Sequence, residues 1–384
     1  MTLTLLIDLD DTLLGNDMDT FIPAYLGALG KHIAHHAPPD QMAATMLAAT
    51  QRMFENTRPD RTLKESFDPA FYPPLGLTEA QVRAEIEAFY THIFPTLKSV
   101  TQTQPQTIPF IQAAIGRGYQ IGIATNPLFP RAAIIERLRW AGLPPEKYPF
   151  ALIPSYESFH FAKPNPAYFA EFLGRINWPR GPILMIGNDP DHDVRGASEL
   201  GIPVFWIDRG SAKIPNGFPT PNSSGALADV LPWIDSLTPR ELMPDYTSTT
   251  AIIATLRGVP AALSGISANL LASNLPLIET ICHLRDVERE INLPQLQKIT
   301  KIDNPRLPEI NTAAWAEERN GPAALSEFIA ARIETLELLD NLSTADWSLP
   351  ARHASLGATN LQEIANLMAK HDREWVRRGR VSGN

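Results

Sequence analysis

Apolar and polar positions change period along this chain, and each period predicts a different kind of element. Residues 3–7 form an apolar run without alternation, which predicts a strand buried on both faces. From Asp17 to about Leu97 the spacing is helical and no strand is expected. Within that stretch Thr78-Glu79-Ala80-Gln81 reads as a capping box, followed by Val82, Ile86, Phe89 and Ile93 at helical spacing. Then elements alternate. Helices are expected over 108–116, 131–140, 165–176 and 194–200, and strands over 120–124, 151–154, 183–186 and 204–207. Strands alternating with helices predict a parallel sheet covered on both faces. Residues 209–248 are rich in Gly, Pro, Ser and Asn around a short helix near 226–234. Beyond them the pattern is wholly helical, in four apolar stripes. These are Ile252, Leu256, Val259, Leu263 and Ile266; Leu277, Ile281, Leu284 and Ile291; Leu325, Phe328, Ile329, Leu336 and Leu339; and Ile364, Leu367, Met368, His371 and Trp375. Four such helices predict a four-helix bundle. The expected architecture is α/β, a Rossmann-like parallel-sheet core over 1–16 and 98–237 with a helical insertion over 17–97. A linker over 238–248 and an all-α bundle over 249–384 complete it.

In open parallel sheets, sites lie at the carboxyl ends of strands. Asp8 and Asp10 follow the first apolar run, and residues two apart on a strand point the same way. Two carboxylates so placed repel unless a cation or a shared proton holds them, which points to a Mg²⁺ site or an acid/base pair. The bland alternative is a strand ending in a polar turn. Thr125 and Asp189 also fall at strand ends, which argues for one shared site.

The stretch Asp8-Leu9-Asp10-Asp11-Thr12 resembles the first motif of the haloacid dehalogenase (HAD) superfamily. Ile121-Gly122-Ile123-Ala124-Thr125-Asn126 is similar to its second motif, and Phe161-Ala162-Lys163-Pro164 to its lysine motif. Ile183 to Asp193 is similar to its acidic fourth motif. The resemblance covers roughly the first 235 residues. It implies that the insertion over 17–97 is a cap, and that Asp8 attacks phosphorus to form an aspartyl-phosphate. Asp10 then serves as acid and base, with Thr12 supporting the first loop. Thr125 and the backbone N–H of Asn126 hold phosphate oxygens, and Lys163 neutralises charge. Mg²⁺ would sit between Asp8, the backbone carbonyl of Asp10 and an acidic ligand of the fourth motif. Here the sequence departs from the pattern, because Asn188 stands where an aspartate usually follows the glycine. Asp189, with Asp193 behind it, is the expected ligand, and Asn188 the alternative. An acid at Asp10 favours a phosphatase over a dehalogenase.

The carboxyl-terminal half resembles the DinB-like (YfiT-type) superfamily. The pieces that match are His283 to Glu288, Asp303 to Pro308, Trp315 to Asn320, and His371. The resemblance implies a divalent-metal site of three histidines. Here His283 and His371 match two positions and Trp375 stands at the third, so two core histidines or a degraded metal site are expected. His353 is a remote third ligand, and Cys282 should diverge from His283 on a helix.

Net charge is -9 and there is no basic run, so nucleic acid and anionic membranes are poor partners. The single cysteine, Cys282, allows no intrachain disulfide and fits a cytoplasmic protein. A cleaved signal peptide would remove the first strand, and no apolar run reaches the roughly 18 residues that span a bilayer. His32, His35 and His36 could suggest metal binding, but no Cys or Asp partner sits at ligand spacing, so a solvated helix end is expected. The reading is a Mg²⁺-dependent phosphohydrolase of a small phosphorylated metabolite, with the bundle as accessory. A non-catalytic binding or scaffold protein, or a thiol-transferase-like bundle, are the alternatives.

Overall fold

The structure is a computed structural model that describes residues 2–208, 210, 214–308 and 320–379. The chain forms two compact units. The first runs to Thr57, then takes Arg61–Asn165 and Arg180–Pro244; the second takes Arg58–Asp60, Pro166–Pro179 and the chain from Asp245 onward.

The first unit holds a parallel sheet of β1 (Thr4–Ile7), β2 (Gln120–Ile123), β3 (Ile183–Gly187), β4 (Val204–Ile207) and β5 (Ser223–Gly225), in the order β2-β1-β3-β4-β5. β1 lies between β2 and β3, with Leu5 opposite both Ile121 and Leu184, and every residue of it is buried. Burial on both faces is why its sequence shows no alternation. Residues 151–154, expected as a strand, form no regular one. They run extended beside β2, with hydrogen bonds Ala151 N to Ile121 O (2.8 Å) and Ile123 N to Leu152 O (3.0 Å). β5 was not expected, because Ser-Ser-Gly carries no apolar signal.

The insertion is helical, as the spacing predicts: α1 (Met18–His32), α2 (Pro39–Phe54), α3 (Leu63–Phe71) and α4 (Glu79–Ala88). Thr78 and Gln81 form the capping box of α4. A two-residue antiparallel ladder, Leu14 with Thr103 and Gly15 with Gln102, brackets the insertion. The core helices are α5 (Thr107–Gly116), α6 (Arg131–Trp140), α8 (Gly196–Leu200) and α9 (Val230–Asp235), and α7 (Pro166–Arg175) belongs to the second unit. Phe21 and Tyr25 of α1 meet Phe94, Phe129 and Trp140 with ring centroids 5.3–6.3 Å apart, so aromatic packing fixes the insertion on α6.

The second unit contains α10 (Thr249–Ser264), α11 (Ala268–Ser273), α12 (Leu275–Val287), α13 (Leu293–Lys301), α14 (Gly321–Asp340) and α15 (Leu361–Gly379). The four apolar stripes fall on α10, α12, α14 and α15, except that Ile266 and Ile291 lie just past the ends of α10 and α12. Ile252, Leu256, Leu336, Leu339, Ile364 and Met368 meet in one core. A small sheet, β6 (Arg306–Leu307), β7 (Pro350–His353) and β8 (Gly357–Asn360), borders it. A buried ionic cluster crosses the unit. Arg332 donates to Asp372 Oδ2 (2.6 Å), Glu288 Oε2 (2.7 Å) and Leu256 O (3.0 Å). Burial disfavours the Asp372 carboxylate, but Arg332 outweighs that and holds its pKa below the usual value.

Helix α7 was expected to lie with the alternating core. Instead it packs on α10, and residues Ala167 to Gly174 are all buried. The reason is a set of small residues that lets the backbones approach. A Cβ on Gly258 would stand 2.6 Å from that of Ala170, and one on Gly174 would stand 2.7 Å from that of Ala262. Period alone says that α7 has an apolar face, but not which partner covers it. A fragment ending at Leu237 therefore keeps α7 and loses α10. It is expected to aggregate or bind a hydrophobic dye, and Gly258→Val in the full chain to cost at least ~2 kcal/mol in urea unfolding. A monodisperse, dye-negative fragment would show that α7 does not depend on α10.

Candidate active site

Asp8 leaves the sheet just past β1, where its N–H donates to Ile186 O (2.9 Å) and extends the β1–β3 ladder. The chain then turns sharply. Asp11 has φ +53°, and the N–H groups of Leu13 and Leu14 both reach Leu9 O at 2.9 Å. This loop aims Asp8 and Asp10 into one cavity of about 390 Å³, also lined by Asn126, Lys163, Asn188 and Asp193. Asn16 Nδ2 donates to Asp10 Oδ1 (2.7 Å), and Thr12 Oγ1 to Asn188 Oδ1 (3.1 Å), which ties the first loop to the fourth motif.

Lys163 is 1% exposed. Its Nζ donates to Asp8 Oδ1 (2.8 Å) and Asp193 Oδ1 (2.6 Å). The Asn126 side chain clamps this lysine's backbone, accepting from Lys163 N (3.1 Å) and donating to Lys163 O (3.4 Å). Thr125 is buried beside it at the end of the strand but does not line the cavity. Gly187 makes room for Asp193, since a Cβ at Gly187 would meet Asp193 Oδ2 at 2.2 Å. Asp189, the expected acidic ligand, turns its Oδ1 back onto the N–H groups of Asp191 and His192, both at 2.8 Å. It serves as a cap for the following turn. Asn188, the alternative ligand, points its Oδ1 toward the first loop.

Two residues of this site, Asn16 and Arg137, were not anticipated. Arg137, on α6, is 1% exposed and donates to Asp10 Oδ2 (2.5 Å). Its guanidinium carbon lies 4.6 Å from the centre of the Phe129 ring. The signal was present in the sequence: Arg137 interrupts the stripe Ala133, Ile134, Leu138 that α6 buries.

Three carboxylates, Asp8, Asp10 and Asp193, thus face two cations, Lys163 and Arg137. Burial pushes the Asp8 pKa up to about 8; Asp193 and Asp10 add to the rise and Lys163 opposes it. Burial alone would lower the Lys163 pKa, but Asp193 and Asp8 hold it above the usual lysine value. The excess of negative charge and the all-oxygen donor set fit a hard divalent cation.

Residues 160–221 match the family model described as HAD-hydrolase-like, and residues 227–374 match that of the DinB superfamily. The chain joins an HAD-hydrolase-like region to a DinB-superfamily region. A phosphoserine phosphatase of Thermus thermophilus is 32% identical over 108 residues, 28% of this chain and 41% of that protein. A phosphoglycolate phosphatase of Mesorhizobium japonicum is 29% identical over 126 residues, 33% of this chain and 52% of that protein. The chain therefore spans about half or less of these relatives. Among solved structures, an HAD phosphatase from Thermococcus onnurineus aligns at 19% identity and TM-score 0.40, covering 61% of this chain and 98% of that one. A 2-haloacid dehalogenase from Pseudomonas syringae aligns at 17% identity and TM-score 0.42, covering 62% and 99%.

In the DinB-superfamily region the expected histidines meet. His283 Nε2 and His371 Nε2 lie 3.0 Å apart, and the Trp375 ring stacks on His283 at 3.8 Å. They line a cavity of about 560 Å³ that also takes in His353, whose Nδ1 lies 3.1 Å from Ser355 Oγ. Among the described residues, no third His, Cys, Asp or Glu offers a ligand atom within 4.8 Å of both histidines. Residues Trp315 to Arg319, part of the resemblance to this superfamily, lie outside the described residues. No described helix is long and apolar enough to cross a membrane.

Burial, reinforced by His371, lowers the His283 pKa from 6.5 to about 4. The unfolded chain binds that proton first on acidification, so this group favours the fold fully above pH 6.5 and loses its contribution as pH falls toward 4. Urea midpoints are expected to fall across that window in the native chain and to fall less in His283→Gln. Equal pH slopes in the two proteins would remove His283 as the cause.

Proposed function

We propose that the HAD-hydrolase-like region is a phosphohydrolase that cleaves small phosphate monoesters through an aspartyl-phosphate on Asp8. The observation that carries this reading is the convergence of Asp8, Lys163 and Asp193, with Asp10 beside them in the same cavity. Asp8 Oδ2, opposite the oxygen held by Lys163, is the nucleophile. Lys163 draws charge from the transferring phosphoryl oxygens, with the Asn126 N–H as a further donor, and Thr125 supports the turn that carries Asn126. Asp10 gives its proton to the leaving alkoxide and then takes one from the water that opens the acyl-phosphate. Arg137 and Asn16 hold the Asp10 carboxylate in position for both steps.

Asp8, the main-chain carbonyl of Asp10 and the Asn188 side chain are the oxygens that would hold Mg²⁺, and the ion would supply positive charge that keeps Asp8 ionised. Asn188 is preferred to Asp189 because its Oδ1 turns toward the first loop that carries Asp8 and Asp10, whereas Asp189 Oδ1 caps the following turn. A neutral third ligand implies weaker binding than a third carboxylate. The cavity suits a small substrate, and the names of the two relatives put phosphoserine and phosphoglycolate first in any screen.

The rival reading, a non-catalytic binding protein, rests on Asn188 alone. A thiol-transferase bundle is opposed by Trp375, which fills the space a third imidazole would need.

Para-nitrophenyl phosphate should be hydrolysed with Mg²⁺ and not after EDTA. Asp8→Asn should lose several orders of magnitude of turnover. Arg137→Met should lose about 10²-fold in kcat/KM. Full turnover by Asp8→Asn would end the proposed mechanism, and an unaffected Arg137→Met would remove the role given to that residue.

A further inference from the structure

We propose that His35, His36 and Glu85 form a second metal site, for a divalent transition-metal ion of the zinc class, separate from the Asp8 cavity. After α1 the chain turns, with Ile33 N donating to Leu29 O and His36 N to Ile33 O. Neighbouring residues on a helix diverge by about 100°. Off the helix, the His35 and His36 rings instead lie side by side, with centroids 4.1 Å apart. The chain supplies their partner fifty positions later, on α4. Glu85 Oε1 lies 2.9 Å from His36 Nε2, and Oε2 lies 3.0 Å from His35 Nε2.

Among the described residues, this is the group of three His, Cys, Asp or Glu side chains whose ligand atoms all fall within 4.8 Å of one another. The donor set, two imidazoles and one carboxylate, leaves a fourth position for water and is a zinc set. Imidazole nitrogen also favours zinc, nickel or copper over magnesium. At metal–ligand distances of ~2.0–2.1 Å, ligand atoms of a tetrahedral ion stand ~3.3 Å apart. The two N···O separations are a few tenths of an ångström shorter, so seating an ion needs little movement. Each imidazole would place its remaining proton on Nδ1 and turn its Nε2 lone pair to the metal.

Two further features support the site. His32 Nε2 lies 3.0 Å from the Glu85 main-chain oxygen, so the end of α1 already holds α4 in register. His35 is 61% exposed, so an ion can enter from solvent and its release needs no unfolding. The site joins α1 to α4, and a bound ion would clamp the insertion from its outer side.

The test is zinc titration of the untagged full-length protein, stripped with EDTA and held in excess Mg²⁺ so that hard oxygen sites are filled. One equivalent is expected to bind with a dissociation constant of micromolar or below. His35→Ala, His36→Ala and Glu85→Gln should each weaken it at least tenfold, with circular dichroism unchanged. Cobalt in place of zinc should give visible absorption bands that vanish in His36→Ala. His353→Ala should bind as the native protein does. The proposal is overturned by the absence of zinc binding in the micromolar range or by binding that survives the three substitutions. It is equally overturned by binding lost through His283→Ala instead, which would place the ion in the bundle.

Discussion

The ammonium of Lys163 is withdrawn from water, and the first unit is arranged around keeping it charged. A buried cation costs several kcal/mol unless fixed anions replace its hydration. Asp8 and Asp193 supply them, one from the strand that opens the chain and one from a turn nearly two hundred residues later. That pairing constrains the surroundings. Asp193 can lie against the end of β3 only because Gly187 has no side chain. Lys163 stays at the right depth because Asn126 grips its backbone on both sides. The place of β1 between β2 and β3 puts Asp8 between the two segments that bear Asn126 and Asp193.

Neutralisation is incomplete, and that is where chemistry enters. Lys163 is shared by two carboxylates, and Arg137 answers Asp10 alone. Asp8 is buried beside two further carboxylates, and burial first, then Asp193 and Asp10, raise its pKa. A divalent cation or the arrival of a phosphate changes that balance most at this oxygen. The second unit holds a comparable buried cluster. Arg332 sits between Asp372 and Glu288, and Glu288 is further satisfied by Thr335 and Asn292. Those groups face packed helices, so the cluster serves as structure. Comparable burial with different access to ligand separates the two roles.

Much of this was legible in the sequence, and for physical reasons. The run at residues 3–7 marks a doubly buried strand with Asp8 and Asp10 at its end, and Lys163 and Asp193 were recognisable through the motifs they resemble. The four stripes of the second unit each name one helix. What escaped has a common cause, since it depends on partners distant in sequence. Arg137 reads as one more polar residue of α6 until Asp10 is brought beneath it. His35 and His36 read as a solvated helix end until α4 delivers Glu85. Helix α7 has an apolar face whose partner, α10, only the fit of Gly258 and Gly174 against Ala170 and Ala262 reveals. Asp189 looks like a ligand in sequence; it borders the cavity, but its Oδ1 caps the following turn.

The central claim is that Asp8 is the covalent carrier of the phosphoryl group. The most direct test is to mix the Mg²⁺-loaded Asp10→Asn variant, in which opening of the intermediate is slowed, with a phosphate monoester. The reaction is quenched in acid within one turnover and the digest mapped by mass spectrometry. The account expects a phosphoryl adduct on the peptide carrying Asp8, absent when Asp8 is also changed to Asn. An adduct on another residue, or measurable release of phosphate with no adduct at any time point, would contradict it.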